Sequence, residues 1–128
     1  MSTKSRGTNA ERELIHRFWE AGWGAMRAAG SGSQHYPAPD VVASNNARTL
    51  AIECKLTTAM RQYFTKQEVR ELVEFSNKFG AEPWLAVKFS RQGWWFFSID
   101  CAHETEKFHV ISLDQAKSRG LTFEELLS

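Results

Sequence analysis

The stretch LAIECKL occupies Leu50–Leu56 and alternates large apolar residues with small or charged ones. This period of two predicts a β-strand with one face in the core, because successive side chains of a strand point to opposite sides of the sheet. The other face begins with apolar Ala51 and continues with Glu53 and Lys55. One interpretation is an exposed ion pair of little energetic weight. The change from apolar to charged along one face instead favours the border between a core and a cleft.

Composition limits the protein class. The chain has 128 residues, of which 42% are hydrophobic and 24% are charged, and its formal net charge is +1. These values predict one soluble domain. No apolar run approaches the roughly 20 residues that cross a bilayer, and the first residues lack the apolar core of a secretory signal. We therefore expect a cytoplasmic protein without membrane contact.

The two cysteines and their neighbours do not predict a structural cross-link or a zinc centre. Cys54 and Cys101 are too few for a disulfide framework. Cys101, His103 and His109 match no strong zinc spacing and lack a fourth ligand.

Capping and periodicity patterns predict the order of helices and strands. The capping box TNAE, with Thr8 as N-cap and Glu11 at N3, predicts a first helix that reaches Gly22. A second box, Thr65–Glu68, predicts a helix that ends at Phe79 before Gly80. Strands are predicted at Trp23–Ala29, Asp40–Ser44, Arg48–Leu56, PWLAVKF and WWFFSI, an edge strand at FHVISL, and a short helix at TFEELLS. This order predicts an α/β fold with a mixed central β-sheet flanked by helices, in a single domain over residues 1–128.

Three acidic residues depart from their local patterns. Glu11 falls within the apolar stripe of the first helix, Asp40 opens an apolar strand, and Glu53 lies on the strand face described above. Each has an ordinary explanation, as a capping residue, a turn residue and an exposed ion-pair member respectively. Together the three residues favour a functional site, because the short turn NNAR could bring Asp40 close to Glu53.

The combination of Asp40, Glu53 and Lys55 has the chemistry of a phosphodiesterase site. Two adjacent carboxylates repel one another unless a cation lies between them. Mg²⁺ binds through one or two carboxylates and completes its shell with water and phosphate oxygens. A lysine on the same face could orient the attacking water or stabilise the charge at phosphorus.

These residues resemble a known nuclease motif. PAPD with Asp40, followed by IECK with Glu53 and Lys55, resembles the PD-(D/E)xK motif. The flanking segments GTNAERELIHRFWEAGWGAMRAAGSGS, FTKQEVRELVEFSNKFGAEPWLAVKF and WWFF make the chain similar to the archaeal Holliday junction resolvases over about Arg6 to Phe97. The resemblance implies a restriction-endonuclease-like core and a homodimeric endonuclease that cuts four-way DNA junctions symmetrically. It also implies dependence on Mg²⁺, with Mn²⁺ as a substitute.

The resemblance also assigns roles to individual residues. The catalytic residues of the family match Glu11, Asp40, Glu53 and Lys55, and its metal-binding residues match Glu11, Asp40 and Glu53. DNA-contacting residues match Arg12, Arg27, Ser31, Ser33 and Lys88. Residues 1–7 are expected to form a flexible basic tail that orders on DNA, and replication or repair proteins are possible partners.

The second predicted helix offers a candidate dimer interface. Phe75 and Phe79, four residues apart, lie to one side of the stripe that faces the sheet. Sequence alone allows either a wide apolar face covered by the chain's own loops or an interface between two copies. In the family the corresponding aromatic residues lie between subunits, which favours the interface.

Two other functions are alternatives to junction resolution. One is a nuclease of the same superfamily that acts on other DNA, as repair or restriction enzymes do. The other is an inactive DNA-binding module, which the intact acidic pair argues against, because phosphate affinity alone gains nothing from two adjacent acids.

Overall fold

The computed structural model describes residues 3–28 and 35–128. It contains four helices within those ranges, α1 (Thr3–Glu20), α2 (Lys66–Phe79), α3 (Leu113–Arg119) and α4 (Phe123–Leu127). Its strands are β1 (Gly24–Arg27), β2 (Val41–Ser44), β3 (Thr49–Thr57), β4 (Arg61–Thr65), β5 (Glu82–Phe89), β6 (Gly93–Phe97), β7 (His103–Glu104) and β8 (Phe108–Ser112). A 3₁₀ turn covers Ile99–Cys101.

The main sheet has five strands in the order β1-β2-β3-β5-β6. Strands β3 and β5 are parallel, whereas the other neighbouring pairs are antiparallel, so the predicted mixed sheet is confirmed. As a result, β1, β3 and β5 end at the same edge of the sheet at which β2 begins. We call this the carboxyl edge, because the parallel strands end there.

The two faces of β3 pack against different helices, as the alternation in LAIECKL predicts. Leu50 and Ile52 are fully buried in a cluster that includes Leu14 of α1 and Leu126 of α4. Ala51, on the other face, is fully buried in a cluster with Leu72 of α2. Both faces of β3 are therefore covered in its first half.

A second, three-stranded sheet has the order β4-β8-β7. The predicted edge strand FHVISL is β8, and the prediction of an edge position is wrong, because β8 lies between β4 and β7. Strand β4 was not predicted from sequence. It forms because Phe64 and Ile111 place fully buried side chains against the α2 side of the main sheet.

The first helix begins earlier than its capping box predicts. Helix α1 starts at Thr3, so Thr8 lies inside it and residues 3–7 of the predicted tail are helical. The helix continues through Gly7 although glycine costs about 1 kcal/mol relative to alanine in a helix interior. This segment extends over the carboxyl edge, where Arg6 lines a groove with Leu56. A capping box records only local preferences and does not detect such tertiary contacts.

The caps of α2 agree with the prediction. The Thr65 hydroxyl accepts a hydrogen bond from the Glu68 N–H, and the Glu68 carboxylate accepts one from the Thr65 N–H. Gly80 ends the helix in the left-handed conformation with φ of 79°. Among the described residues, no helix combines the length and apolar character needed to span a bilayer.

Candidate active site

The carboxyl edge brings Asp40 and Glu53 together. Asp40 directly precedes β2, and its N–H donates to the Ile52 carbonyl of β3 at 3.1 Å. The Cys54 N–H donates to the Asp40 Oδ2 at 2.8 Å. The Asp40 carboxylate is thus fixed beside β3, as the short turn between the two strands predicts, and it is hydrogen-bonded to the Glu53 side chain.

The environment of Glu53 disfavours its charged form. Burial is the main reason that its pKa rises to about 9, and the nearby carboxylates of Asp40 and Glu68 raise the pKa further. The ammonium of Lys55 acts in the opposite direction. Without a cation, the Asp40–Glu53 pair therefore retains a proton at neutral pH. Such behaviour is typical of two adjacent carboxylates at a site that binds a cation.

Glu11 reaches the same edge from the opposite face of the sheet. Its side chain is 16% exposed, and its Oε1 lies 3.6 Å from the Arg27 Nη1 on β1. Burial and the Asp40 carboxylate raise the Glu11 pKa to about 7 against the lowering effect of Arg27. Burial and the carboxylates of Asp40, Glu11 and Glu53 raise the pKa of the Cys54 thiol well above its usual value. Cys54 thus lies among these acids as a neutral thiol.

Lys55 is held on the face of β3 that points towards α2. Its Nζ donates to the Glu68 Oε2 at 3.0 Å and lies 5.5 Å from the centre of the Phe64 ring. The other oxygen of Glu68 accepts from the Thr65 N–H at 2.8 Å. Sequence analysis assigned Glu68 only to the helix cap. Strand β4, which the sequence pattern did not reveal, leads directly into α2 and places Phe64 beside the same ammonium.

The predicted DNA-contacting residues occupy several positions. Arg27 is at the carboxyl edge beside Glu11, and Lys88 pairs in register with Leu56 at the same edge. The Lys88 Nζ contacts both carboxylate oxygens of Glu13, at 3.2 and 3.0 Å. Arg12 is exposed on α1. Ser31 and Ser33 lie outside the described residues.

The donor set fits a hard divalent cation. Asp40 and Glu53 offer two adjacent carboxylates, and Mg²⁺ needs only one or two because it keeps several waters. Within residues 3–28 and 35–128, no group of three His, Cys, Asp or Glu side chains is gathered closely enough to hold a metal ion directly. The assignment of Glu11 as a third metal ligand stays a prediction.

Comparison with known proteins identifies the family to which the chain belongs. The family model described as archaeal Holliday junction resolvase (hjc) matches residues 2–128. The chain belongs to this family. The crossover junction endodeoxyribonuclease Hjc of Archaeoglobus fulgidus is 40% identical, with 95% of each chain aligned. The Hjc enzyme of Sulfolobus acidocaldarius is 32% identical over 99% of this chain and 90% of its own.

Solved structures show the same fold. The Archaeoglobus fulgidus Hjc structure, described as a Holliday junction resolvase, superposes with a TM-score of 0.89 over 95% of this chain and all of that one, at 38% identity. A bacterial homing endonuclease superposes with a TM-score of 0.53 at 17% identity, over 87% of this chain and 75% of its own. The second likeness extends to the fold alone.

Proposed function

We propose that this protein is a metal-dependent endonuclease that resolves four-way DNA junctions by paired, symmetric phosphodiester cleavage as a homodimer. The observation that carries the proposal is the hydrogen-bonded pair Asp40–Glu53, with Lys55 two residues further on the same strand face. Membership of the resolvase family supports the choice of a four-way junction as substrate.

Asp40 and Glu53 would hold the metal ion. This ion would be Mg²⁺, with Mn²⁺ as a substitute. The ion supplies Lewis acidity towards a phosphodiester oxygen and activates a water. The backbone N–H of Cys54 fixes Asp40, so this carboxylate is oriented before any ligand arrives. Glu11, with its pKa near 7, is placed to accept or return a proton beside the pair.

Lys55 would act on the scissile phosphate. Its ammonium donates hydrogen bonds to a non-bridging oxygen and offsets the negative charge that develops during attack. Glu68 fixes the position of this ammonium in the free protein. Arg12, Arg27 and Lys88 would contact DNA phosphates, and Ser31 and Ser33, outside the described residues, would lie against the same backbone.

Dimerisation would use the exposed end of α2. Phe75 and Phe79 stack with their ring centres 4.8 Å apart, and Phe79 is 58% exposed. Phe75 also packs against the core cluster of α2, which makes the pair a rigid apolar feature. A two-fold dimer matches a substrate in which two symmetric cuts are needed. Such an enzyme would act in the cytoplasm, where the chromosome lies.

One assay tests the proposed function. The protein is incubated with a four-way junction and with a linear duplex of the same sequence, each in Mg²⁺ and in EDTA. We expect cleavage of the junction alone, and only in Mg²⁺. Equal cleavage of both substrates would favour a nuclease acting on other DNA, and binding without cleavage would favour an inactive module.

A pair of matched variants tests the site. Glu53→Gln removes one charge from the acidic pair and should abolish cleavage while junction binding persists. Glu106→Gln makes the same change at an exposed residue between β7 and β8 and should cleave like the wild type. Cleavage by the Glu53 variant would show that the metal site lies elsewhere.

A further inference from the structure

A groove of about 530 Å³ lies beside the acidic cluster, between the start of α1 and the ends of β3 and β5. Its lining includes three cationic side chains and three hydroxyl-bearing side chains. These are Arg6, Lys88 and Arg91, and Thr57, Thr58 and Ser90. No carboxylate is among the described residues that line it, although the Glu13 carboxylate contacts the Lys88 Nζ at 3.0 Å. The groove therefore has the donors and the charge of an anion-binding surface.

The sheet pairing builds one wall of the groove. Thr57 pairs with Phe89 at the end of the parallel β3–β5 ladder, and the Ser90 N–H extends it by donating to the Thr57 carbonyl at 2.9 Å. The turn to β6 then closes through a bond from the Gln92 N–H to the Phe89 carbonyl at 3.0 Å. Thr57 is thus held within a strand, and Ser90 is held by the hydrogen bond that extends the ladder.

Arg91 occupies a conformation that arginine rarely adopts. Its φ of 65° lies in the left-handed region, where glycine and asparagine are preferred. Residues kept in such conformations concentrate at functional sites. Here the conformation places an arginine at the tip of the β5–β6 turn, at the rim of the groove.

The groove lies at the end of the strand that carries the proposed catalytic lysine, on the α1 side of the sheet. Leu56 and Thr57, which follow Lys55 on β3, both line it, and Lys88 pairs in register with Leu56. Arg27 lies at the same edge on the other side of the acidic pair, on β1. Cationic residues therefore flank the carboxylates on both sides along one edge of the sheet.

We propose that this groove binds the sugar-phosphate backbone of the cleaved strand on one side of the scissile phosphate, with Arg6 and Arg91 as phosphate contacts. This assignment rests on the proposed nuclease function. Charge complementarity supports it, since the lining offers cations and hydroxyls to an anionic backbone. The groove contacts only phosphates and sugars, so it positions the strand and does not select a base sequence.

Salt dependence of binding measures these contacts. Each phosphate neutralised by a protein cation contributes about 0.9 to the slope of log affinity against log salt concentration. Because a homodimer carries each arginine twice, we expect Arg91→Gln and Arg6→Gln each to reduce the slope for junction binding by about 1.8, and the double variant by about 3.6. Arg119→Gln is the matched control, because Arg119 is exposed and contacts Cys101 beyond the far end of β6. It should leave the slope unchanged.

Neutral phosphates locate the contact along the strand. Methylphosphonate links are placed singly on either side of the scissile phosphate of the junction, and binding of the wild type and of Arg91→Gln is compared. A methylphosphonate at one position on one side of the scissile phosphate should weaken junction binding by the wild type. It should not weaken binding by Arg91→Gln, because this variant has already lost its contact with that phosphate. Equal weakening of both proteins at every position, or unchanged salt slopes in both arginine variants, would overturn the groove assignment.

These outcomes are separable from failure of the proposed function. A wild-type protein that binds and cleaves the junction, with unaltered slopes in the variants, refutes the groove alone. A wild-type protein that neither binds nor cleaves the junction refutes the function on which the groove assignment rests.

Discussion

The Nζ of Lys55 lies 3.0 Å from the Oε2 of Glu68, while the Oε1 of Glu68 accepts the N–H of Thr65 at 2.8 Å. One carboxylate thus joins the start of α2 to the lysine on β3. The position of the lysine ammonium depends on a helix cap that does not itself contact the proposed substrate.

Changes at Thr65 should therefore affect cleavage without affecting binding. Thr65→Ala removes the hydroxyl that holds the Glu68 N–H and frees the cap. We expect the single-turnover cleavage rate at saturating enzyme to fall by about 10-fold, as for other residues that orient a catalytic group. Thr65→Ser keeps the hydroxyl and should restore the rate. A rate that Ser does not restore, or a loss confined to junction affinity, would contradict this role.

Two variants of Glu68 distinguish its ion pair with Lys55 from its role in the cap of α2. Glu68→Gln keeps an oxygen for the Thr65 N–H but loses the ion pair with Lys55, whereas Glu68→Ala loses both. Loss of a cap costs about 0.5–2 kcal/mol. The alanine variant should unfold at lower urea concentration than the glutamine variant, while both cleave more slowly than the wild type. Wild-type cleavage by Glu68→Gln would show that the ion pair is dispensable.

The raised pKa values predict a stability that falls with pH in the absence of metal. Glu11 and Glu53 have folded-state pKa values of about 7 and about 9, above the ordinary value of 4.5. At pH values between the ordinary pKa of 4.5 and these raised pKa values, the folded state therefore binds more protons than the unfolded state. Its free energy of unfolding decreases as pH rises through this range. Urea unfolding in EDTA should show a larger decrease from pH 5 to pH 8 for the wild type than for Glu53→Gln. Equal decreases would contradict the burial of this charge.

Metal binding should reverse this effect. Mg²⁺ requires ionised carboxylates and competes with the proton shared by Asp40 and Glu53, so its apparent affinity increases with pH. We expect Mg²⁺ to raise the melting temperature more at pH 8 than at pH 6, and to have little effect on Glu53→Gln. The Glu106→Gln protein serves as the control and should respond like the wild type. A Mg²⁺ effect independent of pH would exclude the acidic pair as the binding site.

The aromatic pair on α2 gives a test of assembly. Phe75→Ala with Phe79→Ala should produce monomers in sedimentation experiments, because it removes the stacked apolar surface at the end of the helix. Met60→Ala is a suitable control, since Met60 is also an exposed apolar residue but precedes β4. A double variant that remains dimeric would place the interface on another surface. Circular dichroism distinguishes dissociation from unfolding, because Phe75 also contacts the core.

Glu13 should weaken DNA binding in the wild type. Its carboxylate contacts Lys88 at the groove and competes with a phosphate for the same ammonium. Glu13→Gln should therefore tighten junction binding and steepen the salt slope by about 1.8, one contact for each protomer of the dimer. Glu20→Gln, at the other end of α1 and paired with His16, should change neither. Weaker binding by Glu13→Gln would mean that Glu13 orients Lys88 rather than competing for it.

The sequence predicted those features that depend on local patterns. The alternation in LAIECKL predicted both faces of β3, and the box Thr65–Glu68 predicted the cap of α2. The proximity of Asp40 and Glu53 followed from a short turn between neighbouring strands. Each of these relationships joins residues that are close along the chain.

The features that sequence analysis missed join distant segments. Strand β4 forms by pairing with β8, about 45 residues later, and it leads directly into α2. The start of α1 at Thr3 depends on contacts over the sheet edge, which override a capping box that is correct for an isolated helix. The roles assigned to the predicted catalytic, metal-binding, DNA-contacting and dimer-interface residues stay predictions.

The position of the proposed site at one edge of the sheet makes its assembly depend on complete folding. The acids that would hold the metal, the lysine and the groove come from α1, β2, β3 and β5, and they meet only when the parallel β3–β5 pair has formed. Residues 11 and 88 are far apart in an unfolded chain, so a nascent or damaged copy has no complete cutting site. The complete site that would cut a junction therefore exists only in the folded protein.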